Sequence, residues 1–385
     1  MRGKHPTILI AAMLACLLPG APGHAQPAPP VDPEIPVALM LDLQSGKLLF
    51  AREPRRRFVP ASVTKVMTAF TLFEMIEDGE LSLRRRLQVS QEVADEWSGE
   101  GSSMFLEAGD RVTVNDLMLG LTTVSANDGA MVLATGIAGS PEKWFERMNA
   151  AAARLGMNDS HFSTPNGYPD GGQTFTTATD LAILAEAMIE RHPNLYSRFF
   201  GHHGFTYGGR TQANHDPITG VVPGADGIKT GYTREAGFNF LGSARRGGRR
   251  LVMVLAGADT GQTRNSTARA FMNWGFENFS NTLLFSKGTF LGEARVQDGA
   301  EASVPLRAPR DIYVTRAAGS DAEVTLELRY TGPLQAPVSE GVAVARLRIS
   351  VEGEQPYEVP LEAAAPIASA NSFQRILNGL AGLIT

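Results

Sequence analysis

Ser62 and Lys65 stand three residues apart in Pro60-Ala61-Ser62-Val63-Thr64-Lys65, where an apolar stretch with helical spacing begins. On one helix face such a pair lies within mutual reach. A serine becomes a nucleophile when a base takes its proton, and a lysine serves as that base only while neutral. A helix N-terminus and a second nearby cation both lower a lysine's pKa. Two further triplets offer complementary groups. Ser125-Ala126-Asn127 sets a hydroxyl and an amide between the apolar run 117–124 and a small-residue helix opening near Asp128, suited to relaying a proton and holding a carbonyl. Lys229-Thr230-Gly231 enters a strand after Asp226-Gly227-Ile228. Its glycine removes a side chain so that a ligand can approach the strand's edge backbone, and its lysine and threonine offer a charge and a hydroxyl to an anion.

Each pattern has a plain structural alternative. Ser140-Pro141-Glu142-Lys143 has the same spacing as the first, and there the serine reads as a helix cap. Ser369-Ala370-Asn371 repeats the second near the C-terminus. A lysine on an edge strand guards against aggregation as readily as it binds an anion. What separates chemistry from coincidence is the joint occurrence, in the order S-x-x-K, S-x-N, K-T-G, with each triplet on the element it needs: helix start, inter-helix turn and strand.

The elements that must position these groups follow from periodicity. Residues 37–42 and 47–51 form a hairpin around Gln44-Ser45-Gly46. Val66, Ala69, Phe70, Phe73 and Ile76 recur at helical spacing, predicting a largely buried helix over 62–76. A second helix opens at Ser140-Pro141 and stops at Gly156; a third spans about 177–191 and ends before Pro193. Residues 227–258 are strand-like, with a turn at 245–249. Helices enclosed between terminal strands imply an α+β domain ending near Trp274-Gly275-Phe276. From 284 to 362 short runs alternate apolar and polar residues between turn clusters, as in a small all-β module. A Pro-rich linker at 26–34 and an Ala-rich linker at 363–370 flank these units.

The three motifs together, with S-D-N in second place, mark penicillin-binding proteins and class A β-lactamases. The chain resembles the low-molecular-mass penicillin-binding proteins that act as serine D-alanyl-D-alanine carboxypeptidases. Trp97-Ser-Gly-Glu-Gly-Ser-Ser-Met-Phe-Leu106, the LGMNDSHF run at 155–162, TTATDL at 176–181, DGIKTGYT at 226–233 and NWGF at 273–276 all look like that family's signatures. The resemblance implies a transpeptidase-like domain over 35–280, an antiparallel sheet flanked by helices, followed by a small sandwich-like β domain over 284–362. It further implies that Ser62 attacks the carbonyl between two D-alanines of a peptidoglycan stem peptide and that Lys65 takes its proton. Ser125 would pass a proton to the departing amine and Asn127 would hold the peptide carbonyl. Lys229, Thr230 and Arg264 would serve the terminal carboxylate, with Gly231 and Tyr232 in the binding strand. The Ser62 and Tyr232 N–H groups would form the oxyanion hole, and β-lactams would inhibit by acylating Ser62. Two positions depart from some family members, which carry histidine in place of Tyr232 and Asn166.

Competing readings remain at this level. A class A β-lactamase would need E-x-x-x-N, whose letters occur at Glu190–Asn194 at the end of a helix. A D,D-endopeptidase would use the same site on cross-links, and a silent wall-binding protein would not use it at all.

Composition narrows the classes. The 385-residue chain is 43% hydrophobic and 19% charged with net charge −5, ordinary for a globular protein and unsuited to nucleic acid. Arg2, Lys4, an apolar run over 8–18 and Gly23-His24-Ala25 read as a signal peptide over 1–25, with an uncleaved anchor as the alternative. Cys16, the one cysteine, lies in that segment, and the seven histidines show no ligand spacing, so neither a thiol, a metal nor a cofactor is implied. Secretion to the periplasm is therefore expected. In 371–385, Phe373, Ile376, Leu377, Leu380, Leu383 and Ile384 share one helical face, an amphipathic segment suited to peripheral contact with the inner membrane.

Overall fold

A computed structural model describes residues 28–371. The expected signal segment and the amphipathic segment beyond 371 lie outside the described residues.

The sheet of the larger domain is assembled from both ends of that domain. Val37–Asp42 and Leu48–Arg52 form a hairpin, while Ala225–Thr233, Gly237–Arg246 and Arg249–Ala258 form an antiparallel meander. Pairing of Val37–Asp42 with Arg249–Ala258 joins them into one five-stranded sheet with Ala225–Thr233 at an edge. Side chains alternate between two cores with the strand period of two. Val37, Leu39, Val252 and Val254 enter one core; Ala38, Met40, Leu251 and Met253 enter the other. Because both faces are covered, residues 251–255 read as a continuous apolar run rather than an alternating one.

The helix Lys65–Glu77 fills the first core. Every residue from Val66 to Phe73 is buried, as expected of a helix surrounded by protein. Ser62, expected in its first turn, lies instead on a 3-10 turn, Ala61–Thr64, that precedes it. Ala61 opens that turn with a positive φ of 51°, outside the right-handed helical region, and the α-helix begins only at Lys65.

Elsewhere the local signals and the fold mostly agree. Pro141–Leu155 starts on Ser140, whose Oγ accepts from Lys143 N, and ends at Gly156 with φ 79°. Pro193 ends one helix, Ala178–Arg191, but also opens another, Pro193–Phe199, since the first helical position needs no N–H partner. The helix Gly261–Glu277, which covers the second core with Ala268, Phe271 and Met272, is not apparent from periodicity because polar and small residues interrupt its buried stripe.

The β domain starts earlier than expected, with Phe279–Phe285 pairing to Ile312–Ala317 beside a six-stranded sheet. Val304, Leu306, Ile312, Val314, Ile349 and Leu361 share its core. The stretch 363–370, expected as a linker, is packed onto this domain. Val338 and Ile367 exchange backbone bonds of 2.8 and 2.9 Å, Ala370 N donates to Asp298 O at 2.7 Å, and Ile367 is buried. An apolar side chain every few residues suffices to dock an extended strand. The proline-rich stretch is likewise held where it meets the sheet: Arg52 donates to the carbonyls of Asp32 and Ile35 at 2.7 and 2.8 Å. The two domains are pinned by the hairpin turn, where Thr315 Oγ1 meets Ser45 Oγ at 2.6 Å and Lys47 donates to Thr315 O at 2.9 Å.

His192, between two helices, is 7% exposed, edge-on to Phe70 and Phe73, and neither ring nitrogen has a hydrogen-bond partner. Burial lowers its pKa, opposed by Glu77 and Glu74. The unfolded chain therefore binds the proton more readily, so stability is present above the free-histidine pKa and is lost as pH falls through it. Thermal melts of His192→Leu should show a weaker decline between pH 7.5 and 5.5 than the native chain; parallel declines would refute the assignment.

Candidate active site

Ser62 and Lys65 meet because the 3-10 turn hands directly to the helix. Lys65 Nζ lies 2.9 Å from Ser62 Oγ, 2.8 Å from Asn127 Oδ1 and 2.6 Å from the Asn166 carbonyl. Lys65 is 1% exposed, and its pKa is held well below the ordinary lysine value, first by burial and then by Lys229, with Asp128 opposing. The geometry suits the neutral amine. Two of its three partners are oxygens that only accept, so they take its two N–H groups. The remaining lone pair is left for the Ser62 hydroxyl proton. Asn166, one of the two departures from some relatives of the resembled family, thus acts on the lysine through its backbone.

Ser125 sits at φ 63° in the turn before the helix Asn127–Ala138. This turn projects Asn127 toward Lys65, while Asn127 Nδ2 donates to Glu100 O at 3.0 Å and its N–H to Ser102 O at 2.7 Å. Asp128, fully buried, accepts from Ser103 Oγ at 2.6 Å, Met104 N at 2.9 Å and Leu106 N at 3.1 Å. Sequence reasoning missed Asp128. It anchors the WSGEGSSMFL segment to the S-x-N helix, and a carboxylate directly after that triplet was the available signal.

Lys229, Thr230 and Gly231 lie in the middle of the edge strand rather than at its entry. Lys229 is buried, which sets aside the exposed edge lysine as an alternative. Burial and the Arg264 guanidinium bring its pKa down to about 7, against Asp216, which raises it. Arg264, on Gly261–Glu277, is itself lowered to about 10 by burial. Gly231 has a tighter role than ligand access. A Cβ there would stand 2.4 Å from Pro60 O and 3.2 Å from Ser62 N, so only glycine lets the strand lie against the serine turn. Gly167 does the same from the opposite side, at 1.8 Å from Ala61 O with φ 72°. Tyr232 projects outward and stacks on Phe238 at 4.1 Å between centroids.

Ser62, Ser125, Asn127, Thr230, Gly231, Tyr232 and Arg264 line one cleft of about 550 Å³. Lys65 and Lys229 are buried behind its wall. The cleft also includes Tyr168 and His215, which sequence reasoning did not select. The other candidates separate from it. Ser140 is a helix cap with an exposed Lys143. Ser369 pairs with Gly299 on the β domain. Glu190 bonds Arg310 at 3.1 Å in a larger groove between the domains, of about 870 Å³, away from the cleft that Ser62 lines.

Residues 25–260 match the family described as D-alanyl-D-alanine carboxypeptidase, peptidase S11, and residues 279–368 match the C-terminal domain of penicillin-binding protein 5. The chain is 31% identical over 381 residues to D-alanyl-D-alanine carboxypeptidase DacD of Escherichia coli, covering 96% of this chain and 97% of that one. Penicillin-binding protein 5 of Haemophilus influenzae superposes with a TM-score of 0.75 at 28% identity, covering 87% of this chain and 98% of that one. Penicillin-binding protein D2 of Listeria monocytogenes, solved in its ampicillin-bound form, superposes with a TM-score of 0.57 at 28% identity over 63% of this chain and 98% of that one. A hydroxyl paired with a desolvated amine, in a cleft walled by a K-T-G strand and shared in fold and sequence with these proteins, makes this chain a member of the S11 peptidases, the serine D-alanyl-D-alanine carboxypeptidases.

Proposed function

We propose that the chain removes the terminal D-alanine from linear peptidoglycan pentapeptides, outside the cytoplasmic membrane, through an acyl-enzyme on Ser62. The observation that carries this reading is the Lys65 amine, whose two acceptor-only partners leave its lone pair for Ser62. Lys65 takes the hydroxyl proton as Ser62 Oγ adds to the carbonyl carbon between the two D-alanines. Oxygen charge that develops is held by the N–H groups of Ser62 and Tyr232, each such donor worth about 3 kcal/mol. The C–N bond breaks, and Ser125 delivers a proton to the departing amine. Asn127 holds the penultimate peptide carbonyl. Thr230 and Arg264, with Lys229 behind them, receive the terminal carboxylate. Water then adds to the ester carbonyl, and Ser62 recovers its proton. A β-lactam acylates Ser62 by the same first step and leaves slowly.

Free D-alanine measured after incubation with a peptide ending in D-Ala-D-Ala tests this directly. Release from the linear pentapeptide, with cross-linked muropeptides left intact, is expected. Cleavage of cross-links alone would assign the site to endopeptidase work instead.

The location rests on the N-terminal signal pattern and the amphipathic face of 371–385. Among the described residues no helix is long and apolar enough to cross a membrane. Removing 371–385 should shift the protein from the membrane to the soluble fraction on cell fractionation. Unchanged partitioning would count against peripheral anchoring.

A further inference from the structure

Asn127, which holds the carbonyl of the residue preceding D-Ala-D-Ala in the proposed reaction, is tied to a short segment that the reaction leaves unused. Its Nδ2 donates to Glu100 O at 3.0 Å and its N–H to Ser102 O at 2.7 Å, and a Cβ on Gly101 would stand 3.1 Å from that Nδ2. Gly101, Ser102 and Tyr168 line the cleft. Tyr168 is fixed from three directions. Asn166 Oδ1 accepts from its N–H at 2.9 Å, its ring meets Trp97 edge-on at 5.1 Å between centroids, and its hydroxyl donates to Glu100 Oε1 at 3.0 Å. Glu100 is exposed, and among the described residues no cation lies within ion-pair distance of its carboxylate and Oε2 has no hydrogen-bond partner. The arginines that line the cleft, Arg234 and Arg264, come from other elements, the end of the K-T-G strand and the helix Gly261–Glu277. The wall beside Asn127 therefore presents a negative charge held in place by an aromatic side chain.

We propose that Glu100 is a specificity-determining residue that pairs with an amine carried on the side chain of the stem-peptide residue preceding D-Ala-D-Ala. This rests on the carboxypeptidase reading above and gives its acyl side a substrate preference. With that residue's carbonyl on Asn127, its side chain leaves the backbone beside the segment that carries Glu100. A primary ammonium on a flexible methylene stem suits the place. The stem lies along the exposed Tyr168 ring while the charged head stays at the solvent edge. The head donates to Glu100 Oε2, and Oε1 keeps the tyrosine hydroxyl. A neutral side chain would leave the carboxylate without a counter-charge, and an acidic one would be repelled.

The test compares kcat/KM for D-alanine release from two pentapeptides that differ only in the third residue, lysine or Nε-acetyl-lysine. The native chain should favour the free amine by about three- to fivefold, the scale of a partly exposed ion pair, and salt at about 1 M should erase most of that preference. Glu100→Gln keeps an acceptor for Tyr168 and the backbone bond to Asn127, so its ratio between the two peptides should fall to about one. Glu100→Lys should put the ratio below one by charge repulsion. Equal rates on the two peptides for the native chain overturn the proposal. So does a Glu100→Gln chain that slows on both alike and keeps the native ratio, since that marks a structural role. No release from either peptide by the native chain would overturn the carboxypeptidase reading itself, and this proposal with it.

Discussion

Ser62→Ala should release D-alanine at least ~10^4-fold more slowly than the native chain and take no covalent label from a fluorescent penicillin. In the proposed reaction Ser62 is the nucleophile because Lys65 Nζ stands 2.9 Å from its hydroxyl. Ser125 lines the same cleft, but the Lys65 nitrogen is occupied by Ser62, Asn127 and Asn166. Loss of the Ser62 Oγ leaves the packing of the turn unchanged, so the melting temperature should move by only a few degrees, as for a substitution outside the core. Full labelling of the alanine variant would show that another group is acylated.

Lys65→Arg should lower the acylation rate by about 10^2- to 10^4-fold while leaving Ser62 in place. A guanidinium stays charged at every accessible pH and has no lone pair to accept a proton. It also sets a permanent charge beside Lys229 in a dry site, so folding is checked independently by circular dichroism. Lys65→Met, without an amine or a charge, should lose acylation similarly while keeping the stem's packing. In the native chain the rate should fall on acidification, as Lys65 becomes protonated, and again above about 7, as Lys229 loses the charge that favours the carboxylate. Lys229→Arg should push that alkaline decline to higher pH. A stopped-flow penicillin acylation series reads all three. Native-like acylation by the arginine variant would remove Lys65 from the role of base.

Much of this site is legible in the residues because short-range chemistry dictates it. Proline and serine before a helix, a small-residue helix after an S-x-N turn, and an apolar run broken by K-T-G are local signals. The hairpin at 44–46, the helix caps at Ser140 and Gly156, and the strand-like stretch 227–258 with its turn at 245–249 follow from the same local rules. Less legible are the pieces whose meaning depends on what lies across from them. The 363–370 stretch looks like a linker by composition, and only contact with Val338 and Asp298 makes it part of a domain. Gly261–Glu277 lacks a clean stripe because polar and small residues interrupt its buried face.

By itself the sequence determined which groups are available and on which kinds of element they ride: a hydroxyl and an amine at a helix start, an amide at a turn, a lysine in a strand. Only the tertiary structure decided what those groups are chemically. Lys65 and Lys229 are ordinary lysines until burial strips their water and sets cations beside them, and that requires segments far apart in the chain to close on one another. The closure itself turns on missing atoms at Gly167 and Gly231, a condition set by neighbouring backbone that no local pattern displays.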